Sequence, residues 1–226
     1  LMLHEHHLTV ERTARYFTIE PGEAGAREVW FVCHGYSQLA ERFLRQFEAV
    51  DDGSRLVVAP EALSRFYLHD DSALSGAGRT GASWMTREDR LSEIADYVAY
   101  LDALARHVFR RVERGAVVLR VLGFSQGAAT ATRWAAQGTT RVDQLILWGA
   151  YLPPELDCAA TPGFGRLPVL LVWGEKDRYF DRARVAEDEA RLQRAGVPCR
   201  VVTYGGGHHL SREVLGEIAS EVNSTA

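Results

Sequence analysis

Val117-Val118-Leu119-Arg120-Val121-Leu122-Gly123-Phe124-Ser125-Gln126-Gly127-Ala128-Ala129-Thr130 is the stretch on which the fold turns. Its first half is an apolar, β-branched run of the kind buried in a sheet. Its second half opens a series of small residues, Ala128, Ala129, Ala131 and Ala135, that suits a helix packed closely on that sheet. Between them, Gly123-x-Ser125-x-Gly127 places a serine at the bend, with glycines where side chains would collide in a sharp turn. A strand, a tight turn and a helix in immediate succession predict an exposed hydroxyl at the top of a sheet.

Outward from this stretch, apolar runs and helical periodicities alternate. Glu28 to His34 is a continuous run closed by Gly35, and Arg55 to Ala59 is a second closed by Pro60. Gln144 to Trp148 and Val169 to Trp173 each end at a glycine, and Cys199 to Tyr204 precedes Gly205-Gly206-Gly207. Helical spacing covers Ala40 to Val50, a long series from Leu91 to Val112, Val185 to Ala195, and a closing segment through Ile218. Thr86 and Asp89 form a capping-box pattern ahead of the long helix. Residues 7 to 20 read as an antiparallel hairpin leading the sheet. The whole predicts an α/β fold, a mostly parallel sheet covered by helices on both faces.

The 226 residues, 46% hydrophobic, suit one domain spanning 1–226. A net charge of −4 with no long basic block argues against a nucleic-acid partner. No window is apolar enough for a membrane span, and the N-terminus lacks a signal-peptide pattern, so a cytoplasmic location is expected. Cys33, Cys158 and Cys199 have neither disulfide-framework nor zinc spacing, and the His4, His6 and His7 cluster reads as a solvated terminus. From Glu61 to Ser83 periodicity disappears, and 61–90 reads as a loop or lid. The glycines in Gly76-Ala77-Gly78-Arg79-Thr80-Gly81 lack the Gly-Lys-Ser/Thr ending of a phosphate loop.

A serine hydroxyl needs a base to take its proton and an acid to hold that base in the right tautomer. Acids after the elbow helix include Glu155, Asp157, Glu175, Asp177 and Asp181, and the histidines are His208 and His209. With His34-Gly35, Gly123-Phe124-Ser125-Gln126-Gly127, Gly174-x-x-Asp177 and Gly206-Gly207-His208, the chain resembles the α/β-hydrolase superfamily, and within it the phospholipase/carboxylesterase group that includes acyl-protein thioesterases. The resemblance spans about residues 28 to 215. It implies a triad of Ser125, Asp177 and His208, in the order Ser, acid, His. It also implies an oxyanion donor at the backbone N–H of Tyr36, although Tyr36-Ser37-Gln38 departs from the family pattern after His-Gly. The N–H of Gln126, at the start of the elbow helix, is the second donor.

The predicted chemistry is hydrolysis of a small-molecule carboxylic ester, with thioesters and lysophospholipids as further candidate substrates, through an acyl-enzyme, needing no metal or organic cofactor. A non-catalytic protein of the same fold that binds a small ligand is the alternative. For the pocket, the segment 61–90 offers Trp84 and Met85 as acyl-lining residues and Arg65 and Arg79 as anchors for an anionic group. A competing reading has Trp84 and Met85 packing the long helix onto the sheet and the arginines paired with Asp70, Asp71, Glu88 and Asp89. For His34, a loop-bracing role outweighs a catalytic one.

Overall fold

The computed structural model describes residues 2–68 and 78–221. In chain order the elements are β1 (Tyr16–Ile19), β2 (Glu28–Cys33), α1 (Ala40–Leu44), β3 (Arg55–Pro60), β4 (Ser64–Tyr67), β5 (Thr80–Ser83) and α2 (Arg90–Val108). They continue with β6 (Val118–Phe124), α3 (Gln126–Gln137), β7 (Gln144–Trp148), β8 (Val169–Gly174), α4 (Arg182–Arg194), β9 (Cys199–Tyr204) and α5 (Arg212–Ser220). Seven strands form one sheet in the order β1-β3-β2-β6-β7-β8-β9. Every pairing is parallel except that of β1 with β3.

The apolar runs of the sequence hide a period of two that only the sheet reveals. Val29, Phe31, Leu119, Val121, Leu145 and Leu147 face one core with α2 and α3. Trp30, Val32, Leu122, Ile146 and Trp148 face a second core with α1 and α5. Both faces are covered, so neither residue set can be polar. The exception is Arg120, on the α5 side of the sheet and 1% exposed. Its guanidinium pairs with Glu28 at 2.9 Å and donates to the carbonyls of Ile218 and Glu221, while Arg55 donates to that of Ala219. These carbonyls lie at the C-terminus of α5, where no helical donor remains and the dipole is negative, so two buried cations close the helix that follows the His208 loop.

Three expectations change. The antiparallel element at the N-terminus exists, but within residues 7 to 20 only Tyr16–Ile19 is strand, and its partner is β3. The segment 61–90 is not uniformly irregular, because β4 and β5 pair as a two-stranded antiparallel ribbon. Asp70, Asp71, Gly76 and Ala77 lie outside the described residues. Finally, Thr86 does not box with Asp89. Its N–H and hydroxyl go to Glu93 one turn into α2, and Asp89 at the helix start, at φ 45°, makes no side-chain cap.

Candidate active site

The sheet reverses its winding between β2 and β6. After β2 the chain crosses to α1 on one face and returns to β3; after β6 it crosses to α3 on the other face and returns to β7. The two loops therefore part at the carboxyl ends of adjacent strands, which is where open α/β sheets form their ligand crevice. Gly35 and Ser125 stand on its two lips.

Ser125 has φ 54° and ψ −121°, a conformation that L-residues rarely adopt and that the surroundings must impose. Its N–H is held by the Trp148 carbonyl at 2.8 Å. The flanking glycines make the turn sterically possible. A Cβ on Gly123 would lie 2.3 Å from the Gly127 carbonyl oxygen, and one on Gly127 would lie 2.1 Å from that of Cys33. Gly127 thus allows the start of α3 to abut the end of β2.

The loops after β8 and β9 supply the partners. His208 Nε2 lies 3.0 Å from Ser125 Oγ, and Nδ1 lies 2.7 Å from Asp177 Oδ2. A carboxylate only accepts, so Nδ1 carries the proton and the Nε2 lone pair faces the serine hydroxyl. The other Asp177 oxygen accepts the Tyr179 N–H at 2.9 Å. The two loops are stitched together by Lys176 N–H to Gly206 and Glu175 N–H to Tyr204. His209 is exposed and its ring packs edge-on to Tyr204 at 5.8 Å, so the adjacent histidines do diverge. Three of the four competing acids are engaged elsewhere, and the fourth, Glu175, is exposed. Glu155 pairs with Arg90 and Arg133, Asp181 caps α4 through the Ala183 N–H, and Asp157 accepts the N–H groups of Ala159 and Ala160.

On the β2 side, His34 is fully buried and accepts the Ala62 N–H at Nε2, 3.1 Å. The proton therefore sits on Nδ1 and donates to the Gly35 carbonyl at 2.8 Å. Burial pushes the His34 imidazole below the ordinary histidine range, more strongly than its hydrogen bond to Gly35 and the Glu61 charge raise it. Every described peptide bond is trans, so fixing the Gly35 carbonyl toward His34 sends the Tyr36 N–H the opposite way. Gln38 Oε1 holds the Gly35 N–H at 2.7 Å, and the Ala82 carbonyl holds that of Ser37 at 2.9 Å. Among the described residues, the N–H groups of Tyr36 and Gln126 donate to no protein acceptor. The Gln126 side chain turns the other way. Its Oε1 accepts from Trp84 N–H at 3.0 Å and its Nε2 donates to the Met85 carbonyl at 2.8 Å.

The structure therefore brings Ser125, His208 and Asp177 together and leaves two backbone donors beside the serine. The other residues proposed for the pocket have these surroundings. Trp84 is 3% exposed, packed between His34 and Tyr97, with its indole N–H on the His34 carbonyl at 2.8 Å. The large ring is used as a brace, so the packing reading replaces the acyl-lining one. Met85 is half-buried, its sulfur 3.6 Å from an Arg133 nitrogen. Arg65 pairs with Glu61 at 3.2 Å, beside Arg15, which binds the same buried carboxylate. Among the described residues, no hydrogen bond or ion pair joins the exposed Arg79 side chain to the triad.

Sequence reading missed a ring of aromatics. Phe124 tilts against His208 at 4.8 Å, Phe180 stacks on it at 5.5 Å, and Tyr179 meets it edge-on at 5.0 Å. Tyr36 stacks on Phe66 at 5.4 Å. The adjacency of Tyr179-Phe180 to Asp177 was the available signal. As for metals, Glu5, His7 and Asp89 bring ligand atoms within 4.8 Å of one another, all of them exposed. No described helix is long and apolar enough to cross a membrane.

Known structures share this architecture. Acyl-protein thioesterase 2 of Zea mays superposes with a TM-score of 0.68 at 20% identity, covering 92% of this chain and 96% of its own. Esterase PE8 gives 0.71 at 19% identity over 92% and 97%. A carboxylesterase from Mesorhizobium loti gives 0.69 at 17% over 92% and 95%. At these identities the likeness establishes the α/β-hydrolase fold. No curated protein matches the sequence. Residues 31–213, which contain Ser125, Asp177 and His208, match the serine hydrolase (FSH1) family model, and the chain belongs to that family.

Proposed function

We propose that this serine hydrolase cleaves carboxylic esters of small molecules through an acyl-enzyme on Ser125. The observation that carries the reading is the unbroken relay from Ser125 Oγ to His208 Nε2 at 3.0 Å and from His208 Nδ1 to Asp177 Oδ2 at 2.7 Å, built on a backbone conformation that pushes the hydroxyl out of the strand. His208 takes the hydroxyl proton as Oγ attacks the ester carbonyl. The tetrahedral oxyanion is received by the N–H groups of Tyr36 and Gln126, the latter favoured by the positive end of α3. His208 returns the proton to the leaving oxygen, and water then repeats the sequence to release the acid.

Membership of the serine hydrolase family and the esterase and thioesterase neighbours support this reading. The test is covalent labelling by a fluorophosphonate together with turnover of p-nitrophenyl acetate. Label on Ser125 and turnover lost in Ser125→Ala are the expected results. An unlabelled wild-type protein would return the chain to the ligand-binding alternative.

A further inference from the structure

The aromatic residues around the triad are not equivalent. Phe180 has one face on His208 and Tyr151 tilted against it at 4.6 Å, so it is used within the protein. Phe124 is buried. Tyr36 is partly covered by Phe66. Tyr179 is different: 74% exposed, it touches His208 only through an edge-on contact. Its backbone is nonetheless anchored, because its N–H is bonded to the carboxylate that holds His208. An exposed ring anchored through its backbone, with its edge contact on the proposed base, offers a surface for a substrate group.

Which group follows from the geometry of the reaction. The oxyanion lies toward Tyr36 and Gln126, and the leaving oxygen must meet His208 Nε2 to be protonated, so the leaving group lies beside His208, and Tyr179, 5.0 Å from that ring and 74% exposed, is the aromatic group there with faces to spare. We infer that Tyr179 is a specificity-determining residue that receives an aromatic leaving group, and that the preferred substrates are esters of alcohols bearing an aryl ring. This rests on the ester-hydrolase reading above. In the acylation step the Ser125 Oγ–carbon bond forms first, giving the tetrahedral oxyanion, and the bond from the acyl carbon to the oxygen of the aryl-bearing alcohol then breaks. The serine proton passes through His208 to the departing alcohol. Ring quadrupoles favour edge-to-face or offset contacts between aromatic groups beyond what area burial gives a saturated ring of the same size.

The experiment compares benzyl butyrate with cyclohexylmethyl butyrate, both esters of primary alcohols of similar size, in wild type, Tyr179→Phe and Tyr179→Leu. Wild type should favour the benzyl ester in kcat/KM by roughly 2- to 12-fold, the range that an aromatic contact supplies. Tyr179→Phe should keep that ratio and Tyr179→Leu should bring it near unity. A wild-type ratio near one, or a ratio that survives Tyr179→Leu because both esters fall in parallel, overturns the inference and makes Tyr179 a structural prop for His208. A protein labelled at Ser125 that turns over neither ester overturns the substrate class alone. A protein not labelled at Ser125 overturns the hydrolase reading on which it rests.

Discussion

On one flank of Ser125, the loop after β2 is gripped by several groups at once, His34 and Gln38 on Gly35 and Ala82 on Ser37, while Gln126 ties the start of α3 to Trp84 and Met85. On the other flank, His208 is oriented by a single carboxylate, Asp177, and otherwise by aromatic contacts. The oxyanion flank has many partners, each correcting the others; on the histidine flank the ring has, besides the serine it serves, one polar partner, and nothing replaces its loss. A positioned backbone N–H tolerates the removal of one brace, whereas a tautomer set by one bond does not.

That contrast ranks the consequences of substitution. Ser125→Ala or His208→Ala should reduce kcat for p-nitrophenyl acetate by on the order of 10⁶-fold, with no further loss in the double variant, because members of a triad act as a unit. His209→Ala should retain nearly full turnover, since its ring is against Tyr204. Asp177→Asn should cost about 10⁴-fold, as the amide lets the imidazole take the wrong tautomer. Circular dichroism and thermal melts must show these variants folded. Full activity in His208→Ala would break the histidine flank as described.

Gln126→Ala probes the opposite flank. The backbone N–H survives, while the bonds from the side chain to Ser83, Trp84 and Met85 are lost. The displacement of a braced donor by a fraction of an ångström to about an ångström predicts a kcat loss of about 10- to 100-fold, with labelling of Ser125 slowed but complete. Should Gln126→Ala be as damaging as Asp177→Asn, the idea that this flank distributes its support fails.

Legibility in the sequence follows the same division. The elbow could be read because Gly123, Ser125 and Gly127 fall within five residues, although the contact that demands Gly127 is with the Cys33 carbonyl at the end of β2. The strands could be read because burial on both faces forces apolar runs. Support that crosses long sequence distances could not. Arg120 reaches Ile218 across 98 residues, and nothing in a run of valines and leucines announces a buried cation that caps a distant helix. The β4–β5 ribbon was hidden because each strand has four residues, too few to show a period among the surrounding Gly and Ser. For Trp84 both readings, pocket lining and packing, stay open in the sequence because its neighbours suggest a loop, while its indole N–H goes to a carbonyl, that of His34, fifty residues away.

The smallest effect concerns His34 and is read in stability. Both imidazole nitrogens are used, one donating to Gly35 and one accepting from Ala62, and burial holds the ring neutral despite the Glu61 charge. The ordinary histidine value is 6.5, and the folded-state value lies below it. As pH falls through about 6.5 the unfolded chain therefore takes up a proton that the folded chain still refuses, and stability is lost progressively toward the lower folded-state value. Above about 6.5 the ring is neutral in both states and its contribution is complete. His34→Gln keeps one donor and one acceptor but fits them imperfectly, so at pH 8 the variant should be less stable by about 1 kcal/mol, roughly 2–4 °C in Tm. Glutamine does not titrate, so the gap between wild type and variant should narrow as pH is lowered from 7 to 5, while titrations common to both proteins cancel in the difference. A gap that stays constant across that range would mean that His34 is not the buried neutral brace of the oxyanion flank, and that the flank depends on Gln38 and Gln126 instead.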